Sequence, residues 1–404
     1  MSFDFKKLGP GLLFAGAAIG VSHLVQSTRA GADYGFGLVW ALLLVNLFKY
    51  PFFQFGPRYA MATGESLLEG YKKLGKGVLF TYTIVTLASM FTIQTAVTIV
   101  TAGLAHNLFG NSISLEIWTV IILFICVLIL LKGKYRFLDK IMKGIVVTLT
   151  ISTLIAVVLA FKEQPTSISF LQILPKDHLQ IAFLIAFMGW MPAPLDISIW
   201  HSLWTIEKKK EVQELTVKSS LFDFNIGFIG TIIIGLGFLT LGALVMHQSS
   251  VAFSAKASEF SNQLISMYSK HMGAWTYPII GIAAFTTMFS TTLTTMDASP
   301  RSMAHSLQLL FPKKQFKGYL AWMSILLLGT ILIFFFLASE MGLLIQIATI
   351  LSFLTAPFFA IANYVLICSQ HTPTEWRPSM AMHIWSLLGI VFLIGFSAWY
   401  LSTI

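Results

Sequence analysis

Residues 181–206 read IAFLIAFMGWMPAPLDISIWHSLWTI. The stretch has the length and apolar character of a bilayer-crossing helix, yet Gly189, Pro192, Pro194 and Asp196 sit near its middle. Each proline lacks an N–H and collides with the turn before it, so a continuous helix through MPAP must free backbone carbonyls. In hydrocarbon an unsatisfied carbonyl is costly, and broken backbone survives at membrane depth only where protein or a cavity surrounds it. A mid-membrane carboxylate costs roughly 2.5–3.5 kcal/mol on insertion scales and marks Asp196 as a candidate functional residue. A simple proline kink with Asp196 at the membrane rim stays open as the alternative.

Composition places this stretch in a protein that crosses the membrane many times. The chain has 404 residues, is 56% hydrophobic and 11% charged, and has a mean hydropathy of +0.80. Apolar runs of about 20–25 residues recur along the whole length, about eleven of them. No stretch is left over for a soluble domain, so residues 1–404 read as one transmembrane unit. The N-terminal MSFDFKKLGP carries Lys6 and Lys7 but no small-residue cleavage site follows, so no signal peptide is expected. Cys126 and Cys368 lie in separate apolar runs and have neither disulfide-framework nor metal-thiolate spacing.

The net charge of +9 would suggest nucleic acid in a soluble protein, but here the basic residues alternate by loop. One set of loops holds Arg58, Lys72, Lys73, Lys76, the Lys132, Lys134, Arg136, Lys140, Lys143 run, Lys208–Lys210, Lys313, Lys314 and Lys317. The positive-inside rule then puts the N-terminus in the cytoplasm and, for an odd span count, the C-terminus outside. The expected partners are the lipid bilayer and a small ion or solute, with no nucleic acid and no cofactor. Short loops are consistent with a bacterial cytoplasmic membrane.

The first span, about residues 10–32, has the same unusual character as the sixth. Gly16, Gly20, Ser22, His23 and Gln26 put glycine and polar groups at its centre, where a helix can unwind and offer carbonyls, or pack closely through Gly16 and Gly20. In the second span Lys49 is read as snorkelling along the helix, with pairing to an interior carboxylate as the alternative. Gln94, Thr95, Thr98 and Thr101 form a polar stripe in the third span, whose hydroxyls are expected to bond back to their own helix. Between His247 and Met272, Val251, Phe253, Phe260, Leu264 and Met267 suggest a short amphipathic helix. Asp297 and Arg301, four apart, are expected to pair on one helix face.

The two interrupted spans stand five apart. Repeats of five spans insert in opposite orientations, so the chain divides into a first repeat at about 10–161, a second at about 178–369 and an extra helix at about 381–402. Such inverted repeats place a binding site at the midplane between the two broken helices, where half-helix ends present N–H and C=O groups to a solute. No HExxH, paired carboxylates, nucleophile elbow or phosphate-binding glycine loop is present, so an enzyme is not expected.

Residues 9–64 resemble the opening of the Nramp (natural resistance-associated macrophage protein) transporters. Gly9, Pro10, Gly11, Ala30, Gly31, Ala32, Gly35, Trp40, Asn46, Thr63 and Gly64 fall at the family's places without a gap. The order of spans, the break in the sixth and His201-Ser202 after it also match. The resemblance implies a LeuT-type all-α fold and divalent-metal transport, often coupled to protons, with His201 on the proton path.

Departures fall at the metal site. The family's DPGN is replaced by Gly20, Val21, Ser22 and His23, which removes a metal-binding carboxylate. Its MPH motif aligns either on Ala193-Pro194, followed by Leu195 and Asp196, or on Met191-Pro192. The candidate substrate residues are therefore Gly20, Ser22, His23, Ala193, Pro194 and Asp196, with His23 and Asp196 as metal ligands. Span three has no acid and span nine no arginine for the family's salt-bridge relay. Three functions stay open: a metal transporter of altered selectivity, a carrier of a non-metal small solute or anion, and a non-transporting sensor or receptor.

Overall fold

The computed structural model describes residues 9–110, 112–132, 135–163, 169–212, 214–247, 254, 256–313, 318–337 and 341–404. Lys6, Lys7, Lys134, Lys314, Lys317, Val251 and Phe253 lie outside the described residues, as do the side chains of Arg136, Lys140 and Lys143. All regular elements among the described residues are helices.

The first unit is broken where glycine interrupts its polar centre. Helix α1 (Pro10–Ala18) ends before Gly20, a π-helical turn follows at Ser22–Ser27, and α2 (Thr28–Tyr34) completes the unit. The two halves bend by 49°. Proline at the first helical position suits the start of α1, because that N–H has no intrahelical acceptor in any case. Next come α3 (Val39–Thr63), the short α4 (Leu67–Leu74) and α5 (Lys76–Phe109). Ser66 and Glu69 form a reciprocal cap at the start of α4. The first half then ends with α6 (Leu115–Lys132) and α7 (Tyr135–Glu163).

The second broken unit forms where MPAP predicts it. Helix α8 (His178–Trp190) stops at the first of these residues, and α9 (Ile197–Glu211) starts after Asp196. Beyond it run α10 (Val217–Val245), α11 (Ala257–Met272), α12 (Tyr277–Leu310), α13 (Gly318–Leu337), α14 (Met341–Cys368) and α15 (Met380–Leu401). Helix α11 is the amphipathic helix expected in the long loop, and Phe260, Leu264 and Met267 are among its buried residues. Taking α1 with α2 and α8 with α9, and leaving aside α4 and α11, the order of units follows the all-α, LeuT-type plan of about eleven spans.

By length and composition, seven single helices among the described residues can cross a membrane, and the bent first pair makes an eighth. The other three units are α3, α7, whose apolar helix Val147–Lys162 is shorter, and the pair α8 and α9. Helix α3 carries Asn46, Lys49 and Gln54 inward, α8 is short and apolar, and α9 ends in Glu207 and a lysine run. The polar groups of α3 and the broken backbone between α8 and α9 are tolerated because neighbouring helices, not lipid, surround them, whereas the charged end of α9 is partly exposed. Helices α6 and α13 show the opposite pattern, with only 22% of their apolar windows buried, against 67% for α5 and 72% for α12. Their apolar faces form part of the outer surface.

Lipid offers no hydrophobic drive for helix association, so close packing through small residues matters. Glycines press backbone on backbone at several places, and two of these seams involve the broken spans. In the first, a Cβ on Gly11 would strike the Asp223 carbonyl, and one on Gly227 would strike the Gly11 carbonyl. The seam continues where Gly31 lies against the Leu239 carbonyl and Gly242 against that of Thr28. It joins α1 and α2 to α10. In the second, Gly189 of α8 lies against the Thr349 carbonyl of α14, and Gly56 of α3 against the Ser198 carbonyl of α9.

Candidate functional site

A small cavity of about 30 Å³ lies between the two breaks. Gly20, Val21 and Ser22 line it from the first break, and Trp190, Pro194 and Trp200 from the second. Ile93 and Val97 of α5 and Thr291 and Thr295 of α12 close it. A water needs roughly 10–15 Å³ of such space, so the cavity has room for about two waters or one small ion. No side chain in its lining carries a charge.

Hydroxyls and backbone give the cavity its polarity. Thr291 Oγ1 stands 3.3 Å and 3.4 Å from the Gly16 and Ile19 carbonyls, which the break leaves at the end of α1. Thr295 donates to Gln94 Oε1 at 2.7 Å, and Gln94 Nε2 donates to the Thr292 carbonyl at 3.3 Å. The threonines of α5 bond back to their own helix as expected, Thr98 to the Gln94 carbonyl and Thr101 to that of Val97. Trp190 Nε1 donates to Ser352 Oγ at 2.7 Å, whereas the buried Trp200 Nε1 has no protein partner.

Of the residues expected from sequence, Gly20, Ser22 and Pro194 line this cavity, while His23, Ala193, Asp196 and His201 are buried beside it or beyond it. His23 Nε2 donates to the Thr231 carbonyl at 3.0 Å, and Nδ1 lies 2.7 Å from Ser22 Oγ, which itself reaches the Ala18 carbonyl at 2.8 Å. A carbonyl only accepts, so Nε2 carries a proton. With Nδ1 engaged by Ser22, neither ring nitrogen holds a free lone pair for a metal in this conformation. Asp196 is 7% exposed, and its Oδ1 has no hydrogen-bond partner. His201 stacks on Phe14 at 5.7 Å and packs against Phe224 at 5.6 Å, with both ring nitrogens unpartnered. No group of three or more His, Cys, Asp or Glu side chains suited to a metal occurs among the described residues.

Lys49 departs from the sequence expectation. It is fully buried and does not snorkel. Its ammonium donates to the carbonyls of Gly189 at 2.7 Å, Met188 at 2.8 Å, Met191 at 3.2 Å and Ala193 at 3.3 Å. These are the carbonyls that the end of α8 and the MPAP break leave free. Sequence position along α3 cannot show which way the side chain turns, and the only hint was a lysine one helical turn past Asn46 in an apolar run. Thr291, Thr295 and the two tryptophans were also not foreseen as lining, because hydroxyls in a long helix usually serve packing. Asp297 and Arg301 form the expected ion pair at 2.6 Å, and Tyr319 donates to the same carboxylate at 2.7 Å.

Two broken helices facing a buried cavity, inside a bundle of apolar helices, define a multi-pass membrane protein of the LeuT fold. The model of the family described as natural resistance-associated macrophage protein-like matches residues 11–403, and the chain belongs to that family, Nramp. An uncharacterised protein of Pasteurella multocida is 35% identical over 98% of this chain and 92% of its own length. Crystal structures of a manganese transporter from Eremococcus coleocola share the fold at a TM-score of 0.75, with 13% identity over 96% of this chain and 84% of that one. MhsT in complex with L-phenylalanine is similar at a TM-score of 0.64, with 14% identity over 96% of this chain and 98% of that one. Mhp1, of the nucleobase-cation-symport-1 family, is similar at 0.60, with 14% identity over 98% and 93%.

Proposed function

We propose that the protein is a secondary-active transporter that moves a small metal ion through the cavity between its two breaks, with a selectivity altered from that typical of its family. The observation that carries this reading is the cavity itself, bounded by both broken spans and large enough for one ion. Family membership supports transport, and the manganese transporter of the same fold supports a divalent cation. The donors at hand are the hydroxyls of Ser22, Thr291 and Thr295 and the backbone at Gly20 and Pro194. An all-oxygen set favours hard cations such as Mg or Mn over soft ones. Asp196, with its unpartnered oxygen, supplies negative charge from just beyond the lining. For His23 to join it as a metal ligand, the ring must first release Thr231. His201 is the proposed proton carrier, since both its ring nitrogens stand without partners.

A second reading rests on Trp200. Its buried indole N–H has no protein partner and belongs to a residue lining an uncharged cavity, an arrangement that suits an acceptor oxygen of an anion or neutral solute. Uptake into proteoliposomes separates the two. Saturable Mn or Mg uptake that Asp196→Asn lowers at least tenfold supports the metal reading. Absence of uptake with every divalent cation tried overturns it. Uptake of a small carboxylate or amide that Trp200→Phe weakens then supports the second.

A further inference from the structure

We infer that Lys49 is a tethered cation, occupying a carbonyl site at the end of α8 that would otherwise need an ion from solution. A helix C-terminus carries about half a negative charge from its unpaired carbonyls. In α8 this end is buried, because Gly189 lies directly against α14 and Met188 and Met191 are fully covered. Among the described residues no backbone N–H of a following turn serves these carbonyls. The Lys49 ammonium does, with four carbonyl oxygens around three N–H donors and the Phe353 ring 6.0 Å away. The shell of backbone oxygens around one positive charge is what a small monovalent cation receives when its hydration is stripped.

Four acceptors around three donors make a coordination shell, in which no single bond sets the geometry. The side chain reaches it from α3, across the same seam that joins Gly56 to Ser198, so the positive charge stays with α8 and α9. The α8 end therefore holds its shape without sodium or potassium. Asp196 is the opposite charge that acts on Lys49 through space.

The test reads stability and leaves the substrate question untouched. Purified wild-type protein, melted in NaCl, KCl or N-methyl-D-glucamine chloride at equal ionic strength, should show one midpoint. Lys49→Ala opens the shell, and its midpoint should fall by several degrees in N-methyl-D-glucamine and recover in sodium, potassium or methylammonium. Lys49→Arg, which keeps the charge, should show less of this recovery. A folded Lys49→Ala indifferent to the cation overturns the inference, as does a wild-type protein with the same cation dependence. Should Lys49→Ala not be recovered folded, reductive methylation of the wild-type chain decides. A Lys49 that stays unmodified while surface lysines are dimethylated supports the locked ammonium, and methylation at the surface rate overturns it.

Discussion

The Asp223 carboxylate of α10 accepts the Gly11 N–H at 2.7 Å and the Gly9 N–H at 3.1 Å. It thereby caps α1 from a helix more than two hundred residues away in sequence, with a negative charge at the positive end of the helix dipole. Hydrogen bonds to charged groups contribute about 1.5–3 kcal/mol each. Asp223→Leu should therefore lower stability by about 3 kcal/mol, and Asp223→Asn by less, since one acceptor remains. Thermal melts in detergent would check both. Equal losses in the two variants would mean that shape, and not capping, sets the cost.

Gly20 leaves room that any larger residue would fill. A Cβ there would meet the Thr291 side chain at 2.9 Å. Gly20→Val should therefore reduce uptake at least tenfold, equivalent to about 1.4 kcal/mol in the transport barrier, while the protein remains folded. Uptake equal to wild type would place the substrate path elsewhere.

Asn363 holds four helices together. Its Oδ1 accepts the Tyr71 hydroxyl at 2.6 Å, and its Nδ2 donates to the Phe52 carbonyl at 3.1 Å and to Ser198 Oγ at 3.0 Å. Asn363→Leu keeps the volume but strands these buried groups, each at about 1–3 kcal/mol, so a loss of roughly 3 kcal/mol is expected. A double substitution with Tyr71→Phe should cost less than the sum of the two single changes, which a mutant cycle would measure.

Glu69 predicts a pH dependence outside the membrane-spanning helices. Burial pushes its carboxyl up, but hydrogen bonds from His305 at 2.6 Å and from Ser66 outweigh this and hold it at about 2, below the ordinary 4.5. A depressed acid contributes stability above its unfolded value and loses it as pH falls through the folded one. Wild-type stability should thus decline between about pH 4.5 and 2 through this group, by roughly 1 kcal/mol after solvent screening. In Glu69→Gln that part of the decline should be absent from melts recorded across the same range.

The backbone plan was legible because its causes are local. Pro192 and Pro194 forbid a continuous helix whatever surrounds them, and Gly20 among polar residues weakens the first span in the same way. The Asp297–Arg301 pair follows from helical spacing alone. The cavity was legible only in part. Gly20, Ser22 and Pro194 sit at the breaks and so face it. Thr291, Thr295 and Trp200 face it because of how α9 and α12 are rotated, which depends on packing across the whole bundle. Lys49 is the sharpest case. A lone lysine in an apolar run reads as a snorkelling residue until the free carbonyls of α8, far along the chain, are seen at its tip.

The two glycine seams divide the molecule mechanically. Backbone pressed on backbone leaves no side chains to slide or change rotamer, so each seam transmits force like a weld. The first broken span must travel with α10, and the second with α3 and α14, Lys49 included. Relative displacement between these two bodies then has to occur across surfaces filled by side chains, and the small cavity lies on that boundary. Any displacement between them would open or crush that space.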